Sequence, residues 1–380
     1  MDTLIKRELE QIISKYLFNG KVIILFGPRQ TGKTTLVNQL MKKNDKKILF
    51  LNGDDYDIRE LFLNPNPTKI KLIIGNSQIL VIDEAQQIQD IGMVLKIIHD
   101  NFKHIQLIAT GSSSFDIANS INEPLTGRKF EFNLYPISFE EMCNYHGYLE
   151  EKRMIDHRLI FGYYPDIVSN TNTEEKLIKA LASSYLYKDI LRLGGINKPT
   201  VLENILKALA LQIGSEVTYN ELAQTVGSDK NTIEKYIDLL EKSFIIFKLP
   251  GFNRNVRNEL KKGKKFYFYD NGIRNAIIND LRPINLRQDK GALWENFVIS
   301  ERKKYLNNKD IERKMYFWRT TQQQEIDLIE ENGEILNTFE VKYNSKKNPR
   351  LSKTFSNAYP KHTYTIINPN NLVEFISDLS

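Results

Sequence analysis

Residues 22–35 read VIILFGPRQTGKTT: an apolar, mostly β-branched run that stops at Gly27 and gives way to Gly32, Lys33 and Thr34. The run predicts a buried strand. The residues after it satisfy the G-x-x-x-x-G-K-[ST] spacing, in which glycines let the backbone curl until its amides point at phosphate oxygens and the next helix adds the positive end of its dipole. The candidate ATP-binding set is therefore Gly27, Pro28, Arg29, Gln30, Thr31, Gly32, Lys33, Thr34 and Thr35. Lys33 is expected to reach the β and γ phosphates and the Thr34 hydroxyl to ligate Mg2+. A glycine turn carrying a solvated lysine is the alternative, and it is weighed against the motifs downstream.

The first of these is ILVIDEAQQ at residues 79–87, where an apolar strand ends in two carboxylates. Acids at the C-terminal edge of an open α/β sheet lie where such sheets bind ligands. Asp83 is expected to hold Mg2+ and Glu84 to polarise the attacking water, unless both are a solvated loop pair. Another strand, IQLIAT, ends at Thr110 and is followed by GSSS. Thr110 and Ser112 are candidates to sense the γ-phosphate, an ordinary Gly/Ser turn being the alternative. Strands alternate with helical stretches from Lys21 to about Val168, which predicts a parallel sheet flanked by helices, with the N-P-N-P stretch at residues 64–67 as a loop.

A chain of 380 residues is too long for one ordinary core. A net charge of +6 permits nucleic acid without demanding it. The single cysteine, Cys143, excludes an internal disulfide and any multi-cysteine zinc site, and it suits a core position in a reducing compartment. The opening MDTLIKRELEQIISKYL has no uninterrupted apolar core, and the longest apolar runs are strand-length. Neither a secretion signal nor a membrane partner is expected, and a cytoplasmic location follows.

Beyond Gly194, Gly195 and Pro199, whose composition marks a hinge or boundary, come three helical patterns, NILKALALQIG, YNELAQTVG and KNTIEKYIDLLEKS, then the strand-like IIFKL and KKFYFYD. Three helices and a hairpin are the layout of a winged helix-turn-helix. Between the two strands Arg254, Arg257, Lys261, Lys262, Lys264 and Lys265 face a single acid, Glu259, as a basic wing would for phosphate contact. The helix with Asp229, Lys230, Asn231, Thr232 and Lys235 would read DNA; a solvated hairpin in a protein-binding module is the alternative.

The tail has the helical GALWENFVISERKKYL and the strands MYFWRT, EIDLIEE and ILNTFEVK. Glu340 and Lys342 share one strand face and can meet Asp327 across the pair. With Glu295 from the helix, they could hold a second metal ion for phosphodiester hydrolysis, bind nucleic acid without chemistry, or be solvent-facing charges. His99, His104, His146, His157 and His362 show no paired metal spacing.

GPRQTGKTT, LVIDEAQ, TGSSS, LTGRKFEFNLYPISFEE and FGYYPDIV together resemble, in order and spacing, a prokaryotic AAA-type ATPase family, over essentially the whole chain. The resemblance implies an α/β architecture: a P-loop NTPase parallel sheet with flanking helices, then a winged helix-turn-helix, then a small α/β nuclease-like domain. The corresponding segments are 1–170, 171–269 and 270–380. It implies that Arg128 could act as an arginine finger on a neighbour's site, which would require a homo-oligomer; a solvated arginine is the alternative. The set Glu295, Asp327, Glu340 and Lys342 is similar to the active site of PD-(D/E)xK nucleases. The expected function is a Mg2+-dependent ATPase that switches DNA engagement. An ATP-licensed endonuclease and a protein-interaction ATPase of stress or defence are the alternatives.

Overall fold

Val22–Phe26 (β1) is buried along its whole length, as a strand with apolar residues on both faces must be when helices cover both sides of a parallel sheet. In the computed structural model it joins Ile48–Asn52 (β2), Ile79–Asp83 (β3), Gln106–Gly111 (β4) and Lys129–Asn133 (β5). All pairings are parallel and the order is β2-β3-β4-β1-β5. The structure describes residues 4–112, 124–192, 198–253, 263–346 and 349–379. The helices of this unit are Leu9–Tyr16 (α1), Lys33–Lys42 (α2), Tyr56–Leu61 (α3), Pro67–Ile74 (α4) and Ile91–Asn101 (α5). The N-P-N-P stretch is more than a loop: Asn66 caps α4 by accepting from the Lys69 amide, with Pro67 at the first helical position. Leu9 and Ile13 of α1 and Leu36, Val37 and Leu40 of α2 pack with Ile23, Leu25, Ile79 and Val81 of the sheet.

The chain divides into two compact units, residues 6–136 with 242–244, and residues 1–5, 137–241 and 245–380. Helices Phe139–His146 (α6), Tyr148–Arg153 (α7), Ile155–Phe161 (α8) and Pro165–Ser169 (α9) therefore belong with the later residues, and not with the sheet as a boundary at 170 has it. The reason is visible in their partners. The Phe139 amide donates to Glu301 (2.7 Å) and the Lys304 ammonium to the Ile137 carbonyl (3.1 Å). The Asn275 amide donates to the carbonyls of Leu159 and Ile160, and the Tyr163 amide to Asp270. Ser138 and Glu141 form a capping box that starts α6. Cys143 is buried on that helix, its thiol pushed up to about 12 by burial and then by Glu151, Glu301 and Glu140.

In the second unit Glu174–Arg192 (α10) leads to Pro199–Leu211 (α11), Tyr219–Val226 (α12) and Lys230–Lys242 (α13). The last two have the expected starts: Thr218 caps α12, and Asp229 accepts from the Thr232 amide at α13. Glu216–Val217 (β6), Ile246–Pro250 (β7) and Lys264–Phe268 (β8) form an antiparallel sheet of order β6-β8-β7. The boundary residues Gly194 and Gly195 and the basic residues Arg254, Arg257, Lys261 and Lys262 lie outside the described residues, whereas Lys264 and Lys265 open β8. After Asn271–Ile277 (α14) come Lys290–Asn308 (α15), Lys314–Arg319 (β9), Glu325–Asn332 (β10), Ile335–Val341 (β11), Lys353–Ala358 (α16), His362–Ile367 (β12) and Leu372–Ile376 (α17). The sheet order is β12-β11-β10-β9, antiparallel except for the parallel pair β11 and β12. The register of β10 against β9 shifts between Ile326 and Ile329, an irregularity that frees Asp327 from strict pairing.

Candidate active site

Because β1 to β5 are parallel, the segments after β1, β3 and β4 emerge at one edge of their sheet, where open α/β sheets bind ligands. The loop after β1 carries residues 27–32 into α2. Gly27 has to be glycine: a Cβ there would lie 2.2 Å from the Leu134 carbonyl oxygen. Gly32 caps α2 in the left-handed region (φ 88°), which glycine adopts without a Cβ clash. The loop is held from within by the Thr31 hydroxyl, which donates to the Pro28 carbonyl (2.7 Å). From outside, the buried Arg7 guanidinium donates to the carbonyls of Thr31 (2.7 Å) and Tyr135 (2.6 Å). Lys33 is buried, and its ammonium donates to the Gly27 and Pro28 carbonyls, both at 2.9 Å.

Asp83 ends β3, two strands away from β1, yet the Thr34 hydroxyl donates to its Oδ2 at 2.7 Å. The gap is spanned from β4, which lies between them. Thr110 is fully buried, and its hydroxyl donates to Asp83 Oδ1 and accepts from the Glu84 amide (3.2 Å). In this arrangement the Thr110 hydroxyl proton goes to Asp83, so Thr110 holds that carboxylate in place. Glu84 sits just past the strand with φ 47° and ψ 44°, a left-handed geometry costly for a non-glycine residue and often found at functional positions. Gln86 donates to Glu84 and to the Ser112 hydroxyl (3.0 Å), so Ser112 acts through Gln86 on the acid. Gly53 supports the turn: its amide donates to the Asp83 carbonyl (2.8 Å), and a Cβ on it would stand 2.4 Å from the Glu84 carbonyl oxygen.

One sequence candidate stands apart. Arg128 precedes β5, at the sheet edge opposite the loop; its carbonyl accepts from the Val22 amide (2.9 Å) and its guanidinium pairs with Asp100 at 3.0 Å. A five-residue strand at about 3.3 Å per residue separates it by roughly 16 Å from the ends that carry the loop.

The tail brings all four of its candidates together. Asp327 accepts from the Val341 amide (2.8 Å), Lys342 lies 3.4 Å from Asp327 and 2.7 Å from Glu340, and the Tyr267 hydroxyl donates to Glu295 (2.7 Å). The residue that joins them was expected in the basic wing, facing phosphate, and its burial among carboxylates corrects that expectation. Lys265 of β8, 1% exposed at its side chain, contacts Glu325, lies 3.2 Å from Glu295 and is 4.0 Å from Asp327. Burial opposes its charge, but Glu295, Asp327 and Glu325 overcome burial and raise its pKa above the ordinary lysine value. Burial lifts the Glu295 carboxyl to about 7, with Lys265 opposing and Asp327 adding to the rise. Burial also raises Glu340, and then Asp327 does. The signal was present in KKFYF: alternation puts Lys265 and Tyr267 on one face of a central strand, and both reach Glu295 Oε1. Among the described residues, no group of three or more His, Cys, Asp or Glu side chains is arranged to hold a metal ion.

Residues 19–143 match the family model described as an AAA domain. Residues 152–285 and 290–378 match two models each described as a domain of unknown function. An uncharacterized protein of Mycobacterium tuberculosis is 25% identical over 357 residues, covering 93% of this chain and 77% of that protein. One from Haemophilus influenzae is 24% identical over 302 residues, covering 72% of this chain and 74% of its own length. Among solved structures, the Thermotoga maritima RuvB Holliday junction branch migration motor is similar at 16% identity and a TM-score of 0.32, covering 68% of this chain and 95% of that one. The AAA-domain match, together with a glycine loop, its lysine and an acidic strand end at one sheet edge, supports an AAA-type ATPase.

Proposed function

We propose that the chain binds ATP with Mg2+ on the loop of residues 27–35, hydrolyses it, and couples nucleotide state to DNA engagement by the second unit. The observation that carries this is the 2.7 Å hydrogen bond between Thr34 and Asp83, which joins the start of α2 to the end of β3 as a shared metal ligand pair requires. Thr34 and Asp83 would hold Mg2+, which when bound would supply positive charge against that developing on the phosphate. Lys33 would bind the β and γ phosphates, and the α2 amides would cradle them. Glu84, aimed by its left-handed backbone and by Gln86, would orient the attacking water and accept its proton, while Thr110 keeps Asp83 in place.

Helices α11 to α13 with a three-stranded antiparallel sheet of order β6-β8-β7, its β6 lying between α11 and α12 and its β7 and β8 after α13, support the winged-helix reading of residues 199–268, with the exposed Lys230, Asn231 and Lys235 at the start of α13 as the DNA-facing group. The order helix, three antiparallel strands, helix, parallel strand in residues 290–367 supports the restriction-endonuclease-like reading of the tail. The test is ATP turnover of the purified chain with and without duplex DNA across a salt series. Lys33→Ala is expected to lose turnover by about a hundredfold or more, Glu84→Gln to keep nucleotide binding while losing turnover, and DNA affinity to fall steeply with salt. Unchanged turnover in Lys33→Ala overturns the assignment; salt-insensitive DNA binding beside a stable protein partner moves the second unit to a protein-binding role.

A further inference from the structure

Metal-dependent phosphodiester chemistry needs oxygen ligands converging at about 2.0–2.2 Å on a divalent cation, with an open position for water. In the tail, the carboxylates that could supply such oxygens surround a lysine and are not arranged to hold a metal ion. Glu295 comes from α15, and Glu325 and Asp327 from β10; these carboxylates share one partner, the Nζ of Lys265, carried in from a different sheet. That ammonium is buried beside the Phe317 ring, 5.6 Å from its centroid. Its three protons suit several acceptors at once, and Tyr267, two residues along the same strand face, supplies a further donor to Glu295. The opposite side of Asp327 is occupied by the Lys342 ammonium and the Val341 amide. Asp327 thus has a cation on each side, and a divalent ion placed among these oxygens would stand within a few ångströms of both.

We propose that Lys265 is the resident cation of the Glu295, Glu325 and Asp327 cluster, held where a divalent metal would otherwise bind, so that the tail in this conformation is a charge-closed module and not a metal-loaded nuclease. The carboxylates neutralise a buried lysine. The site becomes a divalent-cation site only when the Lys265 side chain is removed or withdrawn. This goes beyond the ATPase reading and stands or falls independently of it.

The test is Mn2+ binding to the nucleotide-free full chain, followed by electron paramagnetic resonance and by the shift in thermal midpoint. Wild type and Asp327→Asn are expected to bind Mn2+ indistinguishably up to about 1 mM, with no midpoint shift that depends on Asp327. Lys265→Gln is expected to gain one bound Mn2+ per chain and a midpoint that rises with Mn2+, both lost in Lys265→Gln/Asp327→Asn. A wild-type chain that binds one Mn2+ lost in Asp327→Asn overturns the proposal, as does a folded Lys265→Gln chain that gains none. If Lys265→Gln does not fold, the comparison of wild type with Asp327→Asn still decides, since it leaves residue 265 untouched.

Discussion

Two hydroxyls, from Thr34 and Thr110, donate to the two oxygens of Asp83, so this one carboxylate joins three segments far apart in the chain. Motif spacing singled out Lys33, Thr34, Asp83 and Glu84 in the sequence, and the fold sets Thr34 against Asp83. Arg7 was illegible there, because it is defined by partners distant in sequence, and an arginine near the start of a charged, helix-like stretch looks like any solvated one. Arg7 nonetheless holds two buried carbonyls at the loop. Arg7→Ala is expected to destabilise the first unit by roughly 2–4 kcal/mol and to weaken ATP binding, read from urea unfolding and nucleotide titration. Arg7→Lys should not restore both, since one ammonium cannot reproduce the planar fork. In the second unit burial works against the charge on Asp289, yet Arg287 and Arg274 hold its carboxyl down at about 2. A lowered carboxyl pKa gives stability that is fully present above the unfolded value, near 3.9, and is lost as pH falls toward 2. Acid unfolding of Asp289→Asn should therefore depend less on pH over that window than wild type, and an identical acid profile would refute the role given to the pair.

The strands were read correctly where apolar runs were bounded by glycine or acids, as in β1, β3 and β4, because a buried parallel strand leaves a continuous apolar signature. Two-residue β6 gave no such signal; it exists because β8 offers an unsatisfied edge, with Glu216 opposite Lys265. Asp327 owes its position to an irregular register in β10, which no alternation pattern encodes. Glycine acts at this scale as well. Gly53 follows β2, and its Cα faces the Glu84 carbonyl closely enough that a Cβ would stand 2.4 Å away. Gly53→Ala should displace the turn that aims Glu84 while leaving the phosphate loop intact. The expected result is a tenfold or greater fall in kcat with nucleotide affinity nearly unchanged, about what misplacing a catalytic group by an ångström does; an equal loss of both would argue that the turn does not aim Glu84.

At the scale of the molecule, the division of the chain after residue 136 was not legible in the sequence, because the partners of the segment from α6 to α9, Glu301, Lys304, Asp270 and Asn275, lie far downstream. Arg128 belongs to this scale too. Its distance from the loop along β5 rules out the nucleotide of its own chain, so an arginine-finger role predicts turnover per chain that rises with protein concentration. Mixing Arg128→Ala with Lys33→Ala chains should recover part of the activity, because some interfaces then pair an intact loop with an intact arginine; no recovery in a demonstrably mixed oligomer would count against a role in trans. The polypeptide leaves β5 at Asn133 and reaches the second unit after only Leu134, Tyr135 and Pro136. Leu134 is fastened at once to β1, its amide donating to the Phe26 carbonyl (2.7 Å) while its own carbonyl abuts Gly27, and Tyr135 shares Arg7 with Thr31. The exit from the sheet is thus pinned to the same turn that Gly27 and Thr31 form.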